Sequence, residues 1–145
     1  MRFQRPLPPM NFFHGKIAAD GGTLVFREGR GNGAPAAGMA LRLGEPIAGK
    51  IHAYRGREIV MGMRPEEIAG QRRAGGAPTE CPIEAIAEVV EPMGAETYLH
   101  LKSGGSSFVA RVPGNERIEA NQKLAVFFDM ARAYFFDAET GRAIA

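Results

Sequence analysis

Two segments of this sequence carry the glycine spacing that phosphate chemistry uses. In Gly44-Glu45-Pro46-Ile47-Ala48-Gly49-Lys50-Ile51, two glycines precede a lysine, as in a loop whose backbone N–H groups cradle phosphates. The Ser or Thr whose hydroxyl would ligate Mg²⁺ is missing, because Ile51 stands in its place. His52-Ala53-Tyr54-Arg55-Gly56-Arg57 then lacks the pattern of a helix whose N-terminus must face the phosphates. The second segment, Leu101-Lys102-Ser103-Gly104-Gly105-Ser106, faintly echoes a Leu-Ser-Gly-Gly-Gln nucleotide-site signature, but an alternating strand follows the glycines where a helix is needed. It is expected to be a hairpin turn. Gly29–Gly33 has no strand-to-helix context either, so a dinucleotide site is unsupported.

The titratable and nucleophilic residues are scattered. His14, His52 and His100 show no close metal-ligand spacing, and surface or packing roles suit them better. Cys81, beside Pro82, has no neighbouring cue for a lowered pKa and is expected to be structural. Glu66 and Glu67 are adjacent, so on one helical turn they point to different faces; helix-start electrostatics explains them better than paired acid–base work. Enzymatic chemistry within this chain is not expected. Nor is nucleic-acid binding, although Phe12, Phe13, Phe26 and Tyr54 lie in the basic half: Arg and aromatic residues do not alternate on one strand.

The chain has 145 residues, 45% hydrophobic and 23% charged, which fits one soluble domain or two small lobes sharing a core. Gly 19 and Pro 10 are many for a helical bundle and suit short strands joined by turns. The net charge is only +2, with 12 Lys/Arg against 6 Asp/Glu in residues 1–75 and 6 against 10 in residues 76–145. No apolar run approaches the roughly 18 residues of a membrane helix, and the single cysteine excludes an internal disulfide and fits a reducing compartment.

Pro6, Pro8 and Pro9 make residues 1–9 an extended arm. Phe12–Ala18 and Thr23–Arg27 read as strands around Asp20-Gly21-Gly22, where Asp-Gly would supply the positive φ of a tight turn. A Gly-rich connector, Arg27–Gly38, precedes a short strand at Met39–Leu43; then come a loop and a strand at Glu58–Arg64. Pro65-Glu66-Glu67-Ile68 opens one helical turn, and Gly70–Pro78 breaks the chain. Cys81–Glu91 is ambiguous: periodicity slightly favours a helix, whereas a strand would put Ile83, Ala85, Ala87 and Val89 on one side, with Pro92 closing either. Strands at 97–102, 108–112 and 122–128 and a terminal hairpin around Asp137–Gly141 follow.

Four segments in order then match a known pattern. They are Pro8-Pro9-Met10-Asn11-Phe12-Phe13, Gly62-Met63-Arg64-Pro65-Glu66, Val89–Thr97 with Glu91-Pro92-Met93-Gly94-Ala95-Glu96, and Phe135–Gly141. Together they resemble the C-terminal regulatory, transport-associated OB (TOBE) region of ATP-binding subunits from carbohydrate-importing ABC transporters, of the maltose and glycerol-3-phosphate types. The resemblance covers about residues 8–144. It implies an all-β fold, an OB-like small β-barrel of TOBE or MOP type with short helical turns, and it favours strand for Cys81–Glu91. It places a regulatory region over residues 10–145, built as two interleaved β lobes with a loop near 70–80.

The resemblance also implies a non-catalytic regulatory and dimerisation role. The partners would be a second copy, the ATPase domain of the same subunit, the membrane subunits indirectly and regulatory proteins, in a cytoplasmic complex peripheral to the inner membrane. ATP and Mg²⁺ would bind the ATPase domain, so no cofactor, metal or catalytic residue is expected in this chain. The positions carried over are Asn11, Phe12 and Phe13 on the first strand, Arg64, Pro65 and Glu66 at the strand-to-turn junction, and Glu91, Pro92, Gly94 and Glu96 in the third segment. All are expected to be structural or interdomain contacts. Met1–Pro6 does not match the helix that normally leads into this region, which points to an expressed fragment or a truncated gene product. Two alternatives stand beside this reading. One is an oxyanion-binding module using Lys102, Ser103, Ser106 and Ser107; the other is an OB-type nucleic-acid binder.

Overall fold

The structure, a computed structural model, describes residues 9–29, 39–71, 80–104 and 106–145. The expected arm before Pro9, most of the Gly-rich connector and the Arg72–Gly76 loop lie outside the described residues.

The described chain is dominated by strands: β1 (Asn11–Asp20), β2 (Thr23–Glu28), β3 (Ala40–Leu43), β4 (Glu58–Met63), β5 (Ile68–Ala69), β6 (Glu80–Met93), β7 (Glu96–Ser103), β8 (Ser106–Pro113), β9 (Gln122–Asp129) and β10 (Tyr134–Asp137). They form two five-stranded antiparallel sheets, ordered β10-β4-β1-β2-β3 and β5-β9-β6-β7-β8. The chain order is interleaved, because the last strand returns to the first sheet. The second sheet curls into a nearly closed, OB-like barrel, and Phe108 of its edge strand β8 meets Phe128 of β9 with ring centroids 5.4 Å apart. One hydrophobic cluster spans both sheets, from Ile17, Phe26, Leu41 and Ile59 to Leu99, Leu101 and Val126. The all-β, OB-like expectation holds.

Alternation accounts for most elements. Phe13, Gly15 and Ile17 point inward from β1, and Leu41 and Leu43 from β3. In the first hairpin Asp20 pairs with Thr23, so the two turn residues are Gly21 and Gly22, at φ 59° and 87°. The positive φ values thus fall on Gly-Gly, whereas the sequence suggested Asp-Gly; Asp20 stays in the ladder. Gly15 is needed for a different reason: a Cβ there would lie 2.2 Å from the Arg27 carbonyl oxygen.

Three local readings change. The segment between Leu43 and Glu58, read as a loop, contains the helix α1 (Ile47–Ile51) and a 3₁₀ turn at His52–Tyr54. Ile47 and Ile51, four apart, are both buried, so tertiary packing rather than propensity holds this single turn. Cys81–Glu91 is strand, as the resemblance implied against the slight helical periodicity, because β9 and β7 flank it and complete its ladder. Within β6 a bulge between Ala87 and Val89 shifts the alternation. Cys81, Ile83, Ala85 and Ala87 are buried as expected, but Val89 is 50% exposed and Val90 packs on the core instead.

Pro92 does not close this strand. β9 pairs with residues 80–87 and β7 with 86–93, so Pro82 and Pro92 each lie in a half of β6 with one neighbour. A residue without an N–H is tolerated where one side needs no donor.

Candidate functional site

Of the first-strand and junction residues named from the sequence, Asn11 and Phe13 lie between the two sheets, whereas Phe12 and Arg64 are exposed. Asn11 donates from Nδ2 to the carbonyls of Met63 (3.1 Å) and Val109 (2.8 Å), and its Oδ1 accepts the Val109 N–H (2.8 Å). Its amide therefore substitutes for a strand neighbour, joining β1 and β4 to β8 of the barrel. Phe13 is buried against Phe108 and Phe128, at centroid distances of 5.6 and 5.8 Å. Phe12 faces the other way, 57% exposed, edge-on to Phe136.

At the end of β4, Pro65 is buried and opens a 3₁₀ turn at Pro65–Glu67. Arg64 is exposed, with its guanidinium 5.0 Å from the Tyr134 ring centroid, a cation–π contact. Glu66 is half-buried, while Glu67 meets the Arg132 guanidinium at 3.8 Å. Arg64 and Glu67 border a cleft of about 330 Å³, whose wall also includes Ile47 and Lys50 of α1, Arg132 and Tyr134. Arg132 belongs to a 3₁₀ turn, Met130–Arg132, that follows β9. Arg64 was named from the sequence. Lys50 figured only in the discounted glycine–lysine segment and Arg132 not at all, because α1 and the turn after β9 have no pattern that places them beside Arg64.

The third set does not join this site. Glu91, Pro92, Gly94 and Glu96 shape the β6–β7 hairpin, where Gly94 takes φ 81°. Glu91 pairs with His100 across the two strands, and Glu96 accepts from Arg111 at 3.0 Å. Both pairs are on the surface, where such contacts add little stability.

Two of the four donors of the oxyanion alternative are already engaged. The Ser103 hydroxyl donates to the Glu84 carbonyl (2.7 Å), and the Ser106 hydroxyl donates to the Glu28 carboxylate. A carboxylate at that tip opposes an anion. Burial pushes the Glu28 pKa up, and the Met39 N–H, donating to the same carboxylate, offsets this in part. The raised native value means that Glu28 stabilises the fold most at acid pH, and that contribution is lost as pH rises through the native pKa. Glu28→Gln is therefore expected to flatten the decline of thermal stability that sets in as pH rises above the ordinary carboxylate range. A variant melting profile parallel to the wild type over that rise would contradict the assignment.

The other chemistry-bearing residues remain apart. Cys81 is buried, its thiol 3.8 Å from the Arg42 carbonyl oxygen. No group of three or more His, Cys, Asp or Glu among the described residues is placed to hold a metal. Asp137 anchors the terminal turn. Its carboxylate is held below the usual range first by the Glu139 N–H and then by the Thr140 N–H and the Arg57 guanidinium, against partial desolvation.

The sequence matches two family models along this architecture: the MalK OB fold domain over residues 8–68 and the TOBE domain over residues 61–136. The chain belongs to the TOBE domain family. Among similar proteins, the trehalose/maltose import ATP-binding protein MalK of Thermococcus litoralis is 34% identical over 94% of this TOBE chain and 35% of its own length. The multiple sugar-binding transport ATP-binding protein MsmK of Streptococcus mutans is 31% identical over 94% of this chain and 34% of its own. The sn-glycerol-3-phosphate import ATP-binding protein UgpC of Burkholderia ambifaria is 33% identical over 93% and 34%. The TOBE chain thus spans about a third of the length of these curated relatives. Its fold is also similar to that of the cytoplasmic molybdate-binding protein ModG in its molybdate-bound form, with a TM-score of 0.59 at 11% identity, covering 86% of this chain and 94% of that one. The Asn11 clamp and the Arg64 cleft both lie where the two family matches meet or overlap.

Proposed function

We propose that this TOBE domain is the non-catalytic regulatory and dimerisation region of an ATP-binding subunit serving a carbohydrate importer. The observation that carries the reading is the continuous match of more than nine-tenths of the chain to about a third of each sugar-import ATP-binding protein. In this reading, nucleotide and Mg²⁺ are bound and hydrolysed by an ATPase domain, and the TOBE domain holds two such subunits together in a cytoplasmic complex. Membrane subunits are contacted indirectly, and nucleic acid is not a partner. Exposed apolar side chains support a role in protein contact: Phe12, Ile86, Val89 and Met93 are each between 44% and 57% exposed.

Light scattering over a concentration series tests the reading. The chain is expected to approach twice its own mass at high concentration and to return to its own mass on dilution. A monomer at every concentration, or ATP hydrolysis by the chain itself, would reject it.

A further inference from the structure

The cleft beside Arg64 has a composition that neither core packing nor the proposed dimer contact requires. Three cations reach it from three separate elements: Lys50 from α1, Arg64 from the end of β4 and Arg132 from the turn after β9. Neither Lys50 nor Arg64 has an ion-pair partner among the described residues; the Arg64 guanidinium lies over the face of Tyr134. Arg132 stands 3.8 Å from Glu67 and 3.9 Å from Asp129, at ion-pair rather than hydrogen-bond length, so its N–H donors remain available. The acidic groups facing the cleft are thus Glu67, Asp129 behind it and the chain end at Ala145, and the last pairs with none of the three cations.

The shape favours a small ligand over a flat protein surface. At about 330 Å³ the cleft is at the lower end of the roughly 300–1,000 Å³ typical of small-molecule sites. The buried side chain of Ile47 and the half-buried ring of Tyr134 supply apolar wall, while the cations stand at the rim. Three cationic residues around one cleft suit a group with three terminal oxygens and a double charge, and guanidinium groups suit phosphate in particular. A carboxylate presents only two oxygens and a single charge.

We infer that this cleft binds a small organic phosphate monoester, its phosphate held by Lys50, Arg64 and Arg132 and its carbon skeleton laid against Ile47 and Tyr134. The site needs this chain alone, so its failure is distinguishable from failure of the dimer reading.

Calorimetric titration of the intact chain with glucose 6-phosphate, inorganic phosphate, glucose and polyglutamate tests the inference. The expected result is saturable one-to-one binding of glucose 6-phosphate, weakened by salt, about tenfold tighter than inorganic phosphate, and none of glucose. Lys50→Gln and Arg132→Gln are each expected to weaken it about tenfold. Lys102→Gln, on the exposed β7–β8 tip, should leave it unchanged. In the unaltered chain, amide resonances of Ile47–Ile51 and Ala131–Tyr134 should shift on titration, a readout that does not depend on any variant folding. Absence of saturation at millimolar ligand, equal binding of polyglutamate, an equal loss in the Lys102 variant, or shifts confined to other segments would each overturn the site.

Discussion

Phe13→Ala is expected to destabilise the fold by about 3–5 kcal/mol, the largest effect of any single truncation considered for this chain. The ring is buried, and it touches two others that belong to the opposite sheet. Phe108 and Phe128 also meet each other, so Phe13 supplies the first sheet's share of a three-ring cluster between the sheets. Removing it costs the transfer free energy of the ring. It also leaves a cavity lined by two aromatic edges, which cannot both move inward because their strands sit in the ladders with β7, β6 and β5. Total stabilities of small domains are about 5–15 kcal/mol, so the loss removes between about a fifth and the whole of that margin. Urea denaturation checks this directly. Phe12→Ala provides the contrast, because the neighbouring ring points to solvent and its loss should change stability by no more than about 0.5–1 kcal/mol. A Phe13→Ala cost below about 1 kcal/mol would mean that the two sheets are held together elsewhere.

Those adjacent phenylalanines also show what the sequence could and could not reveal. Period-two alternation put Phe12 and Phe13 on opposite faces once residues 12–18 were read as a strand, but it could not say which face was the core. That depended on β4, β8 and β9, whose pairing partners lie far away in the chain. The hairpins were legible because their turn residues carry the signal locally, as at Gly21-Gly22 and around Gly104. The helix at Ile47–Ile51 was not, since five residues contain too few turns for a period to emerge. The bulge after Ala87 was invisible for a related reason: it occurs just past the pairing with Gln122, where β9 begins, and nothing in Glu88 or Val89 announces that.

The candidate site follows the same division. Arg64 belonged to a recognisable segment, whereas Lys50 reaches the cleft from α1 and Arg132 through the return of the chain after β9. Tyr134, which the Arg64 guanidinium covers, sits on β10, the strand that rejoins the first sheet. A cleft assembled from four separate stretches has no signature in any one of them.

Asn11→Ala is expected to cost about 2–4 kcal/mol, a large value for a half-buried polar residue, and the reason lies in what it leaves behind. The side chain makes three hydrogen bonds, and two of them satisfy the N–H and C=O of the same residue, Val109. β8 is an edge strand, with β7 on one side, so these two groups face away from the sheet and have no ladder partner. Alanine would leave both unpaired at the junction of the two sheets, and the Met63 carbonyl would lose the donor it has from Asn11. Partial access to water limits the penalty to this range. Asn11→Asp separates the donor from the acceptor contribution. It retains an oxygen to accept the Val109 N–H but turns a carboxylate toward two carbonyl oxygens. Its cost should therefore match or exceed that of alanine at neutral pH and shrink as the carboxyl is protonated. Amide exchange at Val109 gives a site-specific check, with protection expected to fall in both variants before the rest of β8 is affected. If Asn11→Ala leaves both the unfolding free energy and Val109 exchange unchanged, the clamp is not what joins the first sheet to the barrel edge. The burden would then pass to the three-ring cluster around Phe13, and the two variants combined would show no coupling.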